Sequence, residues 1–133
     1  MNGVKIMKYK FAYDAEFIKK NTFYLSEEEV NIVFATVVGK HNAIFFGYKP
    51  ERLVKAIKKL TTGYPFVETA NPSNIVNDLH NAQDGILCIK DFDSWGIIDQ
   101  QFLYGHTLND QCRCTQFIAT TNINPHEVVV PDV

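Results

Sequence analysis

The clearest helical pattern in the chain begins at Ser26. Ser26 and Glu29 have the spacing of a capping box, in which each side chain satisfies a free backbone N–H at the position of the other. Apolar residues then recur at helical spacing at Val30, Val33, Phe34 and Val37. We therefore predict a helix that starts after Ser26, buries one face and is ended by Gly39.

Three later segments are apolar without a helical period. Residues 43–46 read Ala-Ile-Phe-Phe, residues 86–90 read Ile-Leu-Cys-Ile-Lys, and residues 116–121 read Gln-Phe-Ile-Ala-Thr-Thr. Short continuous apolar runs are typical of strands that are covered on both faces, as in the centre of a parallel sheet. Each run therefore predicts a buried strand, and Cys88 in the second is expected to be an inert thiol.

Amphipathic helices are predicted between these strands. Pro50 and Glu51 suit the first turn of one helix, a second is predicted over residues 71–80, and Asp93 and Ser94 are expected to cap a third that Gly105 ends. The expected inward residues are Leu53, Val54, Ile57 and Leu60, then Ile75, Val76 and Leu79, then Trp95, Ile97, Ile98, Phe102 and Leu103. This order predicts one α/β domain over residues 1–133, with a mainly parallel sheet flanked by helices.

Composition narrows the function only slightly. A chain of 133 residues with 46% hydrophobic content suffices for one core but is too short for two domains. The net charge of -2 makes nucleic acid and membrane surfaces unexpected partners. The apolar runs fall far short of the roughly 20 residues of a membrane span, and the three cysteines are too few for a disulfide framework. We expect a cytoplasmic protein.

The segment Gly39-Lys40-His41-Asn42 leads directly into the strand predicted over residues 43–46 and then to Gly47. This arrangement resembles the nucleotide site of the magnesium chelatase I-subunit and its competence-associated relatives, which are AAA+ ATPases. The family's phosphate-loop motif G-x-x-x-x-G-K-[ST] falls on residues 47–54, and of its fixed positions only Gly47 is kept. Arg52 replaces the second glycine, Leu53 the lysine and Val54 the magnesium-binding hydroxyl.

Two more segments resemble motifs of that family, in the expected order. Residues 85–91 are similar to the Walker B strand, with Lys90 in place of the metal-linked aspartate and Asp91 in place of the water-activating glutamate. Residues 116–122 are similar to the sensor 1 strand, and Asn122 keeps its terminal asparagine. The resemblance covers residues 26–125 and implies a three-layer P-loop-NTPase-like domain, which we expect to be a reduced core without the helical lid domain.

These departures lead to the first functional hypothesis. Pro50 removes an N–H from the phosphate cradle, Glu51 adds negative charge beside it, and a lysine at position 90 would repel Mg²⁺. We therefore expect a non-hydrolysing pseudo-ATPase that needs no cofactor and acts through protein contacts. Its expected partner is an intact AAA+ subunit or a second copy of the chain.

The second hypothesis is an ATP-binding protein or weak ATPase with an unorthodox phosphate site. Nucleotide and Mg²⁺ would then be held near Gly47, Lys49, Arg52 and Asn122, and Asp91 and Asn122 are the catalytic candidates by family position. A phosphate loop filled by the side chain of Tyr48 would argue against it. If the resemblance is accidental, the strand order should differ from the AAA+ arrangement.

Simpler interpretations stand beside these hypotheses. Asp91 and Asp93 could be a catalytic carboxylate pair, but a charged strand end that feeds a helix cap accounts for both residues. The basic residues of the first helix after Gly47 could contact phosphate, but they are typical of a solvated helix face. They are Arg52, Lys55, Lys58 and Lys59. No set of metal ligands is predicted.

Overall fold

Four parallel strands form the centre of the molecule in the computed structural model, which describes residues 14–107 and 115–122. The strands are β1 (Ala43–Phe45), β2 (Phe66–Thr69), β3 (Ile86–Ile89) and β4 (Gln116–Thr120). Their order across the sheet is β1-β4-β3-β2, and every adjacent pair is parallel. The predicted α/β class with a parallel sheet is confirmed.

Helices cover both faces of this sheet. They are α1 (Ala15–Thr22), α2 (Glu27–Gly39), α3 (Glu51–Leu60), α4 (Ile75–Asn81) and α5 (Ile97–Thr107). Successive side chains of a strand point to opposite faces, so Ile86 and Cys88 of β3 pack with α2 and α3, whereas Leu87 and Ile89 pack in a second core with residues of α4 and α5. The described chain therefore has three layers.

The capping box forms as predicted. The Ser26 hydroxyl accepts a hydrogen bond from the Glu29 N–H at 3.1 Å, and the Glu29 carboxylate accepts one from the Ser26 N–H at 3.0 Å. The end of α2 differs by one residue, because Gly39 remains helical and Lys40 adopts the left-handed conformation that ends it. A Cβ on Gly39 would lie 2.5 Å from the His41 ring, so a larger residue there would require the His41 side chain to move.

The predicted stripe of α3 is also confirmed. Leu53, Val54, Ile57 and Leu60 are all buried, and with Val33 and Val37 of α2 they form most of the first core. Pro50 stands at the N-cap of the helix, where its missing N–H costs nothing. Because α3 is anchored in the core, it fixes where the loop after β1 ends.

The prediction that residues 43–46 form a central strand covered on both faces was wrong. Among the described residues β1 pairs on one side only, with β4, and Ile44 is 43% exposed. The sequence also did not predict β2, although Phe66–Thr69 pairs along its whole length with β3. Apolar character alone does not place a strand within a sheet, because an edge strand can carry the same residues.

Some inward-facing assignments on α4 and α5 were wrong as well. Val76 is largely exposed because it follows the buried Ile75 by one position, which is about 100° of helix rotation. On α5 Ile98 is largely exposed, Ile97 and Phe102 are each 43% exposed, and Leu103 is buried. Asp93 and Ser94 lie in a 3-10 turn (Phe92–Ser94) and do not cap α5, which begins at Ile97. Trp95 is buried as expected, but between that turn and the helix.

None of the helices in the described ranges is both long enough and apolar enough to cross a membrane.

Candidate functional site

The carboxyl ends of the four strands bring the candidate residues to one end of the sheet. Because the strands are parallel, the segments that follow them emerge together. A cavity of about 330 Å³ lies there, between α3 and the ends of β2, β3 and β4. Its lining residues are Glu51, Val54, Lys55, Lys58, Glu68, Cys88, Lys90, Asp91 and Thr120.

A chain of ion pairs crosses this cavity. The ammonium group of Lys90 lies 2.9 Å from one carboxylate oxygen of Glu68, and that of Lys58 lies 3.1 Å from the other. The pKa of Glu68 is lowered, first by its hydrogen bond with Lys90, and the pKa of Lys90 is raised by the same bond. Glu68 therefore stays ionised and joins β2 to both β3 and α3.

Cys88 lies on the wall of the same cavity but is not poised to react. Its side chain is fully buried, and burial raises the pKa of the thiol to about 12. A nucleophilic cysteine needs the opposite shift, since the thiolate is the reactive form. The structure agrees with the inert thiol that the sequence predicts.

Asp91 and Asn122 lie in contact at the carboxyl end of the sheet. The Asn122 side-chain amide donates to the Asp91 carboxylate at 3.2 Å, and the Asn122 backbone N–H donates to the Asp93 carboxylate at the same distance. Asp91 is left-handed, and its N–H donates to the Thr120 hydroxyl. The two catalytic candidates are thus bonded to each other, and Asp93 holds the end of β4.

The loop after β1 is short and tightly turned. Gly47 and Lys49 both have positive φ, 100° and 46°, and the Arg52 N–H already donates to the Lys49 carbonyl at 3.1 Å. Leu53, at the position of the phosphate-binding lysine, is only 7% exposed and packs in the core. Val54 lines the cavity without a hydroxyl to offer.

Arg52, a candidate phosphate contact under the second hypothesis, is instead paired with Glu29. Its guanidinium forms a two-point ion pair with Glu29 of α2, at 3.1 and 2.5 Å, and donates to the Tyr48 carbonyl at 3.3 Å. The hydrogen bond from Arg52 is the main reason why the pKa of Glu29 falls to about 2. The Tyr48 ring is 75% exposed, with the charged groups of Lys49 and Arg52 near its face, so it does not fill the loop.

The structure thus brings some of the predicted site residues into contact and gives others partners that the sequence did not predict. Asp91 and Asn122 are in contact, and Gly47, Lys49 and Arg52 share the loop after β1. Sequence reasoning missed Glu68 and assigned Lys58 only to a solvated helix face. The alternation in Phe-Val-Glu-Thr over residues 66–69 is the signal that could have revealed β2 and, with it, the partner of Lys90.

No protein-family model matches this chain, and neither a curated protein nor a solved structure matches it significantly. The class that the coordinates themselves define is an α/β domain with a four-stranded parallel sheet and a charged cavity at its carboxyl end.

Proposed function

We propose that this protein is a degenerate magnesium-chelatase-like AAA+ core, a pseudo-ATPase that does not hydrolyse ATP and acts through protein contacts. One observation carries the proposal. Lys90, at the position of the metal-linked aspartate, is ion-paired with Glu68 inside the cavity. An ammonium group held there repels a divalent cation, and Glu68 is already committed to two lysines.

The residues present do not fit Mg-ATP in the family's manner. The phosphate loop would need a flexible lysine where Leu53 is packed in the core, and a hydroxyl where Val54 lies. Moving Arg52 to the phosphates would break its two-point pair with Glu29. Both changes would remove contacts that stabilise the fold, because Leu53 packs in the core and Arg52 pairs with Glu29.

The sheet order supports the AAA+ part of the proposal. The strand that resembles sensor 1, β4, lies between the strand before the phosphate loop and the strand that resembles Walker B. The AAA+ arrangement requires this placement so that all three segments face one site.

The second candidate function is nucleotide binding at an unorthodox phosphate site. Two observations favour it: the Tyr48 ring leaves the loop after β1 unfilled, and Asp91 and Asn122 lie together beside the cavity. It ranks below the first because Lys58 and Lys90 already share a carboxylate, and Arg52 has another.

The test is ATP turnover together with thermal unfolding in the presence and absence of Mg-ATP. A ligand that binds the native state stabilises it by mass action. We expect no phosphate release above background and no rise in melting temperature. Turnover abolished by Asp91→Asn would overturn the proposal, and a saturable rise of several degrees without turnover would favour the second candidate.

A further inference from the structure

The two edge strands of the sheet differ in how they face a neighbour. β2 carries Glu68, whose charge is paired with Lys58 and Lys90, and charged side chains are one device by which proteins keep edge strands from pairing. Within the described residues β1 has no such device: its sequence Ala-Ile-Phe contains no charge and no proline. Among the residues that the structure describes, its backbone has no partner on the side away from β4.

The outer face of β1 is also apolar. Ala43 and Phe45 pack toward α2 and α3, so Ile44 points to the opposite face, where it is 43% exposed. Phe46, at the next alternate position, is 48% exposed. A strand added beside β1 would cover these two side chains with its own apolar residues, as cross-strand pairs do.

Charge decides what kind of strand fits. Lys40 precedes β1 and Lys49 follows it, both are exposed, and residues 39–50 contain no aspartate or glutamate. A second copy added antiparallel would bring Lys40 of one chain toward Lys49 of the other, and like charges at that range repel. An occupant with acidic ends would instead be attracted at both ends.

We infer that β1 is a docking edge for an extended segment of a partner protein, with apolar residues at alternate positions and acidic residues at both ends. Main-chain hydrogen bonds to β1 would supply affinity, and Ile44, Phe46 and the two flanking lysines would supply specificity. The inference rests on the proposed function, in which the chain acts through protein contacts.

The probe is a short synthetic peptide with valine at alternate central positions and glutamate at both ends, compared with the same peptide ended by lysine. Binding is followed by the NMR shifts of the amides of residues 43–46. We expect saturable binding of the acidic peptide, about tenfold tighter than that of the basic one, since two exposed ion pairs replace two repulsions. Lys49→Glu should reduce or reverse this preference.

Matched variants separate docking from folding. Ile44→Asp should weaken binding at least about tenfold, whereas Ile98→Asp, which changes an exposed isoleucine on α5, should leave it unchanged. Equal loss in both variants, equal affinity for both peptides, or no saturable binding would overturn the inference. Dimerisation of the protein alone, abolished by Ile44→Asp, would also overturn it and assign the edge to a second copy.

The outcomes do not depend on those of the nucleotide tests. Absence of peptide binding in a protein that also fails to turn over ATP removes the docking edge and leaves the pseudo-ATPase proposal standing. ATP turnover in a protein that binds the acidic peptide would overturn the pseudo-ATPase proposal and leave the docking edge at β1 standing.

Discussion

The two sides of the sheet show opposite ways of treating an edge strand. β2 is tied down by Glu68, which bridges Lys58 of α3 and Lys90 at the end of β3. β1 is held by β4 alone among the described residues, and its outward Ile44 is bare. Within the described ranges, one edge strand is bridged by ion pairs and the other is apolar and paired on one side only.

The proposed loss of ATP hydrolysis and the fold share one residue. Lys90, whose charge would repel Mg²⁺ in the proposed site, also joins β2 to the rest of the sheet through Glu68. If the proposal holds, the residue that prevents hydrolysis also stabilises the sheet. On the β1 side the described residues form no comparable ion pair, and the docking proposal assigns that edge to a partner.

The largest expected effect concerns the β2 edge and its backbone. A Cβ on Gly85, just before β3, would lie 2.1 Å from the carbonyl oxygen of Pro65, which accepts a ladder hydrogen bond from Ile86. We expect Gly85→Ala to lower the free energy of unfolding by more than about 3 kcal/mol in urea denaturation, since backbone must move. Gly105→Ala on α5, where nothing lies within 4 Å, should stabilise by about 0.5–1 kcal/mol. Similar effects of the two variants would contradict the close packing of β2 on β3.

Placing a lysine at position 53, where the proposed resemblance would require one, should cost almost as much. Leu53→Lys places an ammonium group in the core under α3, where the present side chain is 7% exposed. We expect a loss of about 2–3 kcal/mol in unfolding free energy and no gain of ATP binding. Leu53→Met, which keeps the volume, should cost less than about 1.5 kcal/mol. An unchanged unfolding free energy in Leu53→Lys would contradict this prediction and would mean that the start of α3 can open toward the cavity.

Removing the charge that closes β2 should have a smaller effect. The side chain of Glu68 is 30% exposed and its lysine partners about half exposed, so we expect Glu68→Gln to cost at most about 1 kcal/mol. Because the folded pKa of Glu68 is lowered, its stabilisation is present above the ordinary value of 4.5 and is lost as pH falls through the folded pKa. The gap between variant and wild type should therefore close in acid and shrink in high salt. A gap independent of both would refute an ionic role.

The smallest expected effect is on melting temperature and concerns the ion pair of Arg52 with Glu29, beside the loop after β1. The folded pKa of Glu29 is about 2, against 4.5 ordinarily, so its pair with Arg52 contributes stability above pH 4.5 and loses it as pH falls toward 2. Glu29→Gln should lower the melting temperature at pH 7 and match wild type near pH 2. Glu28→Gln, exposed in the same first turn, is the control and should track wild type throughout. Parallel curves for both variants would exclude the Arg52 pair as the cause.

Local features were predictable from the sequence, and features that depend on sheet order were not. The capping box at Ser26 and the stripe from Leu53 to Leu60 involve neighbours within one helix, so their spacing reveals them. Strand β2 is four residues long and half-buried, which leaves little periodic signal. The Glu68 bridge could not be predicted without β2, because only the pairing of β2 with β3 brings Glu68 near Lys90.

The candidate site was predicted in part for the same reason. The predicted strands placed Asp91 and Asn122 after strand ends at one edge of the sheet, and the structure brings the two side chains within 3.2 Å of each other. Arg52 was a candidate phosphate contact only under the second hypothesis, whereas its partner in the structure is Glu29 of the preceding helix. The ion-pair partner of Arg52 depends on how α2 packs against α3, and that packing cannot be read from the motif.

The most direct test of the central claim is isothermal titration of the protein with Mg-ATP, alongside ATP without the metal. The account predicts no saturable heat in either titration, since the ion-paired Lys90 lines the cavity where the proposal would place the metal, and Leu53 stands where the resemblance would require the phosphate-binding lysine. Saturable binding that requires Mg²⁺ and is lost in Asp91→Asn would contradict it.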